Sequence, residues 1–265
     1  MAAASSQRDS ALVVIGLGVI AYVAETMLHE AVGHGVTCVA TGGRVTLLYP
    51  LGMRCSVVSP AMVAAGPVMN FLAGATCWLM LAKTNALRGN ARYLVWLFMV
   101  FNLLVAAGYV AVGGLMNFGD WAYLIAGLEP SIAWRTATVL VAAGLYYAFL
   151  RIGAAEYYRF TGPSGLTSPR LYRLMLLPAA AACVVACAAA ALSPTAKSIA
   201  LELAVATTLV PGFSLLAAAD LLGSMARKQA PDPARVTWSI PWLAIALVVG
   251  TVFVALVGPG IGSRG

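Results

Sequence analysis

The stretch LHEAVGHGV, residues 28–36, contains both histidines of the chain, His29 and His34, and Glu30 directly follows the first of them. Imidazole nitrogens and carboxylate oxygens are ligands that zinc accepts readily. Two histidines and a glutamate on one helix are typical of sites where the histidines hold the metal and the glutamate acts as general base. We therefore predict His29 and His34 as metal ligands and Glu30 as the catalytic base.

The spacing of the two histidines requires an unusual helix. His34 follows His29 by five residues, and a regular α-helix turns the two side chains about 140° apart, which is too far for one ion. A π-bulge accommodates one extra residue and recurs at functional sites, and Gly33 gives the backbone the freedom to form it. Two other interpretations remain open, namely a structural polar network and a relay that handles protons or ions.

The helix that carries these residues belongs to a membrane protein. Of the 265 residues, 62% are hydrophobic and only 9% are charged, and the mean hydropathy is +0.90. Soluble domains carry about 25% charged residues, and a spanning helix needs roughly 20 apolar residues. We predict an all-α polytopic fold with about seven transmembrane helices, over residues 11–39, 60–82, 92–113, 132–151, 173–192, 198–222 and 239–258.

The net charge of +7 does not indicate a nucleic-acid-binding protein, because the basic residues are scattered through the predicted interhelical loops. Most of the sixteen Lys and Arg fall in segments that share a side with the N-terminus, so the positive-inside rule predicts a cytoplasmic N-terminus. The partners we expect are membrane lipid and a transmembrane protein that is a substrate or an interaction partner.

A short β-hairpin is predicted between the first two helices. Residues 42–60 contain two β-branched and aromatic runs, RVTLLY and RCSVV, separated by the turn signal PLGM. A hairpin at the membrane boundary must satisfy its edge, either by pairing with itself or by binding a ligand strand. The sequence does not decide whether Cys38 and Cys55, on either side of the first strand, approach each other.

Three stretches together resemble the site-2 protease family of intramembrane zinc metallopeptidases. They are HEAVGHG (29–35) late in the first helix, AAGPVMNFLAG (64–74) in the second, and NFGDWA (117–122) after the third. The resemblance covers residues 11–125 and implies a metallopeptidase-like membrane core of three helices. Residues 126–265 would then be accessory transmembrane helices.

The resemblance also implies roles for individual residues. His29, His34 and Asp120 would bind Zn²⁺, Glu30 would activate water, Asn70 would help to position the substrate, and the hairpin would pair with an extended substrate strand. From its place one turn before His29, Glu25 is a candidate partner of a metal-bound imidazole.

We therefore expect an intramembrane zinc metallopeptidase that hydrolyses a peptide bond in or near the bilayer. The main alternative is a catalytically inactive member of the same fold that acts as a membrane scaffold or partner-binding subunit. A proton-handling protein would need carboxylates on several helices along one path, whereas the ionisable residues here concentrate on the first helix and Asp120.

Overall fold

The computed structural model describes residues 8–84, 86–194, 197–218 and 234–262, and these are mostly helical. The helices are α1 (Ala11–Ala40), α2 (Pro60–Lys83), α3 (Gly89–Met116), α4 (Asp120–Ile125), α5 (Ser131–Thr161), α6 (Ser168–Leu192), α7 (Lys197–Ala217) and α8 (Ile240–Val257). The strands are β1 (Val45–Tyr49), β2 (Gly52–Cys55) and β3 (Ile261–Gly262).

Six of the helices in the described part of the chain are long and apolar enough to cross a bilayer: α1, α2, α3, α5, α6 and α8. The seventh predicted span, 198–222, coincides with α7, whose apolar part runs from Glu202 to Ala217 and is shorter than the other six. Its predicted end beyond residue 218 lies outside the described residues. The prediction of a multi-pass helical membrane protein is confirmed, with six candidate spans rather than seven.

The predicted hairpin is present and is extended by a third strand. β1 pairs antiparallel with β2, with Tyr49 opposite Gly52 at the turn. β3, from the far end of the described chain, pairs antiparallel with the other side of β1, where Leu48 lies opposite Ile261. The strand order is β2-β1-β3, so no strand of the described residues pairs with the outer edge of β2, which is called its free edge below.

One apolar core joins the two predicted parts of the chain. α1 packs against α3, α6 and α8, and α3 packs against α2 and α5. Trp96 of α3 and Tyr157 of α5 are fully buried in this core, together with Leu174 of α6. The helices after residue 126 therefore surround the first three helices rather than forming a separate unit.

Candidate metal centre

The segment of α1 that carries the histidines is π-helical. The chain follows regular α-helical geometry to Met27, widens into a π-helix over Leu28–Val36, and returns to α-helix at Thr37. The π-helical bulge predicted from the histidine spacing is confirmed, and it extends over nine residues. The wider turn brings the imidazoles of His29 and His34 onto the same side of the helix, with ring centroids 4.7 Å apart.

Two glycines let α1 and α2 approach each other at the bulge. A Cβ atom on Gly33 would lie 2.7 Å from the Cα atom of Gly66, which is closer than real contacts allow. A Cβ atom on Gly66 would lie 2.6 Å from Nε2 of His29 and would also collide with Nε2 of His34. The absence of a side chain at Gly66 therefore leaves open the space toward which both imidazoles point.

Asp120 is brought to the histidines by the turn that follows α3. Asn117 ends α3 in the left-handed conformation (φ 53°), and Gly119 has φ 81°, a value that favours glycine. Asp120 then begins α4, and its Oδ2 atom lies 3.3 Å from Nε2 of His29 and 3.5 Å from Nε2 of His34. The structure thus brings the predicted third ligand next to the first two.

The ligand atoms form a triangle of the size that a metal ion requires. The Nε2 atoms of His29 and His34 are 3.1 Å apart, and they lie 3.3 and 3.5 Å from Oδ2 of Asp120. Tetrahedral zinc with bonds of about 2.0–2.1 Å separates its ligands by about 3.3–3.4 Å. His29, His34 and Asp120 can therefore hold one metal ion between them.

Hydrogen bonds behind the rings fix which nitrogen of each histidine faces the site. His34 donates from Nδ1 to the backbone carbonyl of Met62 at 2.8 Å, because a carbonyl can only accept. Asn70 donates its amide N–H to Glu25 at 2.5 Å, which leaves its oxygen to accept from Nδ1 of His29 at 2.8 Å. In both neutral rings Nε2 then carries a lone pair directed at the site, the form that binds metals.

Such a cluster could accommodate a cation. Two imidazole lone pairs and a carboxylate oxygen face one another, and all three are acceptors. A metal ion between the three residues would offset their mutual repulsion.

Glu30 lies beside the triangle without completing it. Its Oε1 atom is 4.0 Å from Nε2 of His29, and Oε2 is buried without a hydrogen-bond partner among the described residues. A buried carboxylate oxygen is costly unless a donor reaches it. The position suits a water molecule between Glu30 and a bound metal, which is the position of a general base.

Asn70, for which a role in positioning the substrate is predicted, lies behind His29. It is completely buried, its amide bridges His29 and Glu25, and it does not line the cavity beside the metal centre. This position lets Asn70 orient His29, and its predicted role in positioning a substrate stays a prediction. Glu25, a candidate partner of the imidazole, accepts instead from the amide of Asn70 and so reaches His29 through that residue.

Sequence reasoning missed two further contacts at the site. Tyr109 of α3 stacks on the imidazole of His29, with ring centroids 4.7 Å apart and an interplanar angle of 17°. Thr207 of α7 lines the small cavity that also contains Glu25 and Glu30. Both residues lie in apolar helical sequence, where no local pattern distinguishes a residue at the site from one that faces lipid.

A disulfide joins the end of α1 to the sheet. Cys38 and Cys55 are bonded to each other, and their Cα atoms are 6.0 Å apart. The bond attaches β2 to the helix that carries the histidines, four residues after His34.

Comparison with known proteins gives no relative. No protein-family model, curated protein or solved structure matches the chain.

Proposed function

We propose that this protein is a zinc metallopeptidase that hydrolyses a peptide bond in or near the bilayer. The observation that carries the proposal is the triangle of Nε2 of His29, Nε2 of His34 and Oδ2 of Asp120, with edges of 3.1, 3.3 and 3.5 Å. Two imidazoles and one carboxylate are a donor set found in catalytic zinc sites, which keep one position open.

The base for such a reaction is Glu30. Zinc, when bound, would polarise the substrate carbonyl and acidify the attacking water. Glu30, buried beside the ligands with a free oxygen, would accept the proton from this water and deliver it to the leaving amine. Asn70 and Met62 would hold the two imidazoles in the tautomer that this chemistry needs.

The free edge of β2 offers a place for the substrate backbone. β2 is an outer strand of the sheet, and Gly52 and Met53 line the cavity that reaches Glu30. A peptide must leave its helical conformation before a bond in it is hydrolysed, and an added strand satisfies the hydrogen-bonding groups that this exposes.

We further infer that the end of the molecule with the sheet faces an oxidising compartment. The Cys38–Cys55 disulfide lies at that end, and disulfides persist where thiols are not kept reduced. Arg170 and Arg173 lie at the opposite end, where they donate hydrogen bonds to the side chain and the backbone carbonyl of Asp9. Basic residues at this end fit the positive-inside rule for a cytoplasmic N-terminus.

Metal analysis of the protein purified in detergent tests the proposal. The wild type should carry about one zinc ion per chain, and His34→Ala and Asp120→Ala should carry almost none. Glu129→Ala is the matched control, because Glu129 is an exposed carboxylate shortly after α4 whose one side-chain hydrogen bond among the described residues is accepted from the backbone N–H of Ser131. A wild-type protein without metal, or an Asp120→Ala protein that retains it, would refute this site.

Glu30→Gln separates catalysis from metal binding. The variant should keep its zinc and fail to cleave any member of a mixture of synthetic apolar peptides that the wild type cleaves, as read by mass spectrometry. Zinc in the wild type without cleavage of any peptide would favour the alternative, a non-catalytic scaffold or partner-binding subunit that retains the metal.

A further inference from the structure

A large cavity begins at the metal centre and extends away from it between three helices. Its volume is about 790 Å³, and His29, Glu30 and Asp120 lie at one end. The remaining walls come mainly from α3, α5 and α7, so helices from both parts of the chain enclose it. Ligand pockets commonly have volumes of about 300–1,000 Å³.

Small residues create this space. Gly108 of α3, Ala142 and Ala143 of α5, and Ala206 of α7 all line the cavity. A Cβ atom on Gly108 would meet no other atom within 4 Å, so the helix surface there is open. Apart from the site residues Glu30 and Asp120, the described lining contains no Asp, Glu, Lys or Arg. A charged ligand group would therefore be buried without a partner, at a high cost.

Two walls of the cavity contain residues at which the regular backbone hydrogen bonding of the described elements is incomplete. One wall contains Gly52 and Met53 of the free-edged strand β2. The other contains Thr207 and Pro211 of α7. Proline has no N–H, so Pro211 deprives the carbonyl of Thr207, four residues earlier, of its usual helical donor.

These groups favour a peptide over a lipid chain as the occupant. An extended peptide carries N–H and C=O groups that can bond to β2 and to Thr207. An acyl chain carries none and would leave these groups unpaired in an apolar cavity, which is unfavourable. A hydrogen bond of 2.8 Å between the hydroxyls of Tyr146 in α5 and Ser214 in α7 connects the two helices that line the cavity opposite α3.

We propose that α5 and α7, with Gly108 of α3 opposite them, form the specificity pocket of the enzyme, and that it accepts one extended peptide segment with bulky, uncharged apolar side chains. This inference rests on the proposed function, because the bound metal fixes the end of the pocket where the scissile bond lies.

Hydroxamates, which bind metals through their polar end, test the pocket directly. Affinities of zinc-loaded protein would be measured for acetohydroxamate, for acetyl-leucyl-leucine hydroxamate, and for an n-alkyl hydroxamate of the same length as the dipeptide. The proteins are the wild type, Gly108→Leu and Gly144→Leu. Gly144 of α5 is the matched control, because a Cβ atom there also meets nothing within 4 Å but the residue does not line the cavity.

The pocket predicts a specific pattern of affinities. The dipeptide should bind the wild type and Gly144→Leu more tightly than acetohydroxamate does, by roughly ten- to a hundredfold for each leucine side chain that is buried. Gly108→Leu should lose most of this gain and keep its affinity for acetohydroxamate. Because all three proteins are measured in one detergent, partition of a given ligand into micelles cancels when its affinities for the three proteins are compared.

Other results would overturn the proposal. If Gly108→Leu retains the full gain from the dipeptide, the cavity is not the pocket. If Gly108→Leu lowers the affinity of the alkyl hydroxamate as much as that of the dipeptide, the pocket does not distinguish a peptide from an acyl chain and the assignment to a peptide is wrong. A wild type that carries no metal would overturn the proposed function and this inference together, before any ligand is added.

Discussion

The Nε2 atoms of His29 and His34 lie 3.1 Å apart although five residues separate the two histidines on one helix. In a regular α-helix the same residues would point about 140° apart, so the π-helical turn of Leu28–Val36 makes the candidate metal site possible. Within this turn, Gly33 packs directly against Gly66 of α2. The geometry of the site therefore depends on the close contact between α1 and α2.

Gly66→Ala should abolish metal binding. The added Cβ atom would lie 2.6 Å from Nε2 of His29 and would also collide with His34, so it would occupy the place of the ion and push the ligands apart. Elemental analysis of the purified variant should find almost no zinc. Gly144→Ala, a similar change at an open position of α5, should keep a full complement. Normal zinc in Gly66→Ala would mean that the ion does not lie between the imidazoles and α2.

Much of this site follows from the sequence alone, because its information is local. His29, Glu30 and His34 lie within six residues, and the conflict between their spacing and helical geometry predicts the π-helical bulge. No local pattern marks Asp120 as a ligand, and its prediction depended on the resemblance of NFGDWA to a motif of a known family. The apolar composition predicts the spanning helices for a similar reason, since a single helix satisfies its own backbone in lipid.

The contacts that were missed depend on which distant segments meet. Asn70 could be seen as an unusual polar residue, but its position behind His29 depends on how α1 and α2 pack. Cys38 pairs with Cys55, and β3 pairs with β1. The sequence of each segment alone does not indicate which other segment it contacts. Thr207 lies near Glu25 and Glu30 because α7 packs beside the candidate metal site, and the sequence of α7 does not indicate this packing.

Asn70→Leu should weaken zinc binding by about 10- to 100-fold, the usual effect of removing the partner of a metal-bound histidine. Without the amide, Nδ1 of His29 has no acceptor at 2.8 Å, and its ring is free to change tautomer or rotate. Competition with a chromophoric chelator measures the affinity. Glu25→Gln is the control, because a glutamine oxygen can still accept from Asn70, and it should change the affinity much less. Equal losses in the two variants would contradict this hydrogen-bond chain.

Asp9→Ala should destabilise the fold and leave the metal site intact. The buried carboxylate of Asp9 accepts from Nε of Arg170 at 2.8 Å and from the backbone N–H of Val236 at 2.9 Å. Removal of one partner from a buried ion pair costs about 3–5 kcal/mol. Equilibrium unfolding in a denaturing detergent should show this loss, with zinc content unchanged. Arg151→Ala, a change at an exposed position of α5, should alter the free energy of unfolding far less.

The disulfide predicts how the cysteines react. The chain has five cysteines, and Cys38 and Cys55 are bonded while the other three are free. Protein denatured without reductant should therefore take up three maleimide groups by mass spectrometry, and reduced protein should take up five. Cys55→Ser releases Cys38, so this variant should take up the same number with and without reductant. Full labelling of unreduced wild type would show that the bond does not form in the cell, and the inference that β2 and the metal centre face an oxidising compartment would then lose its support.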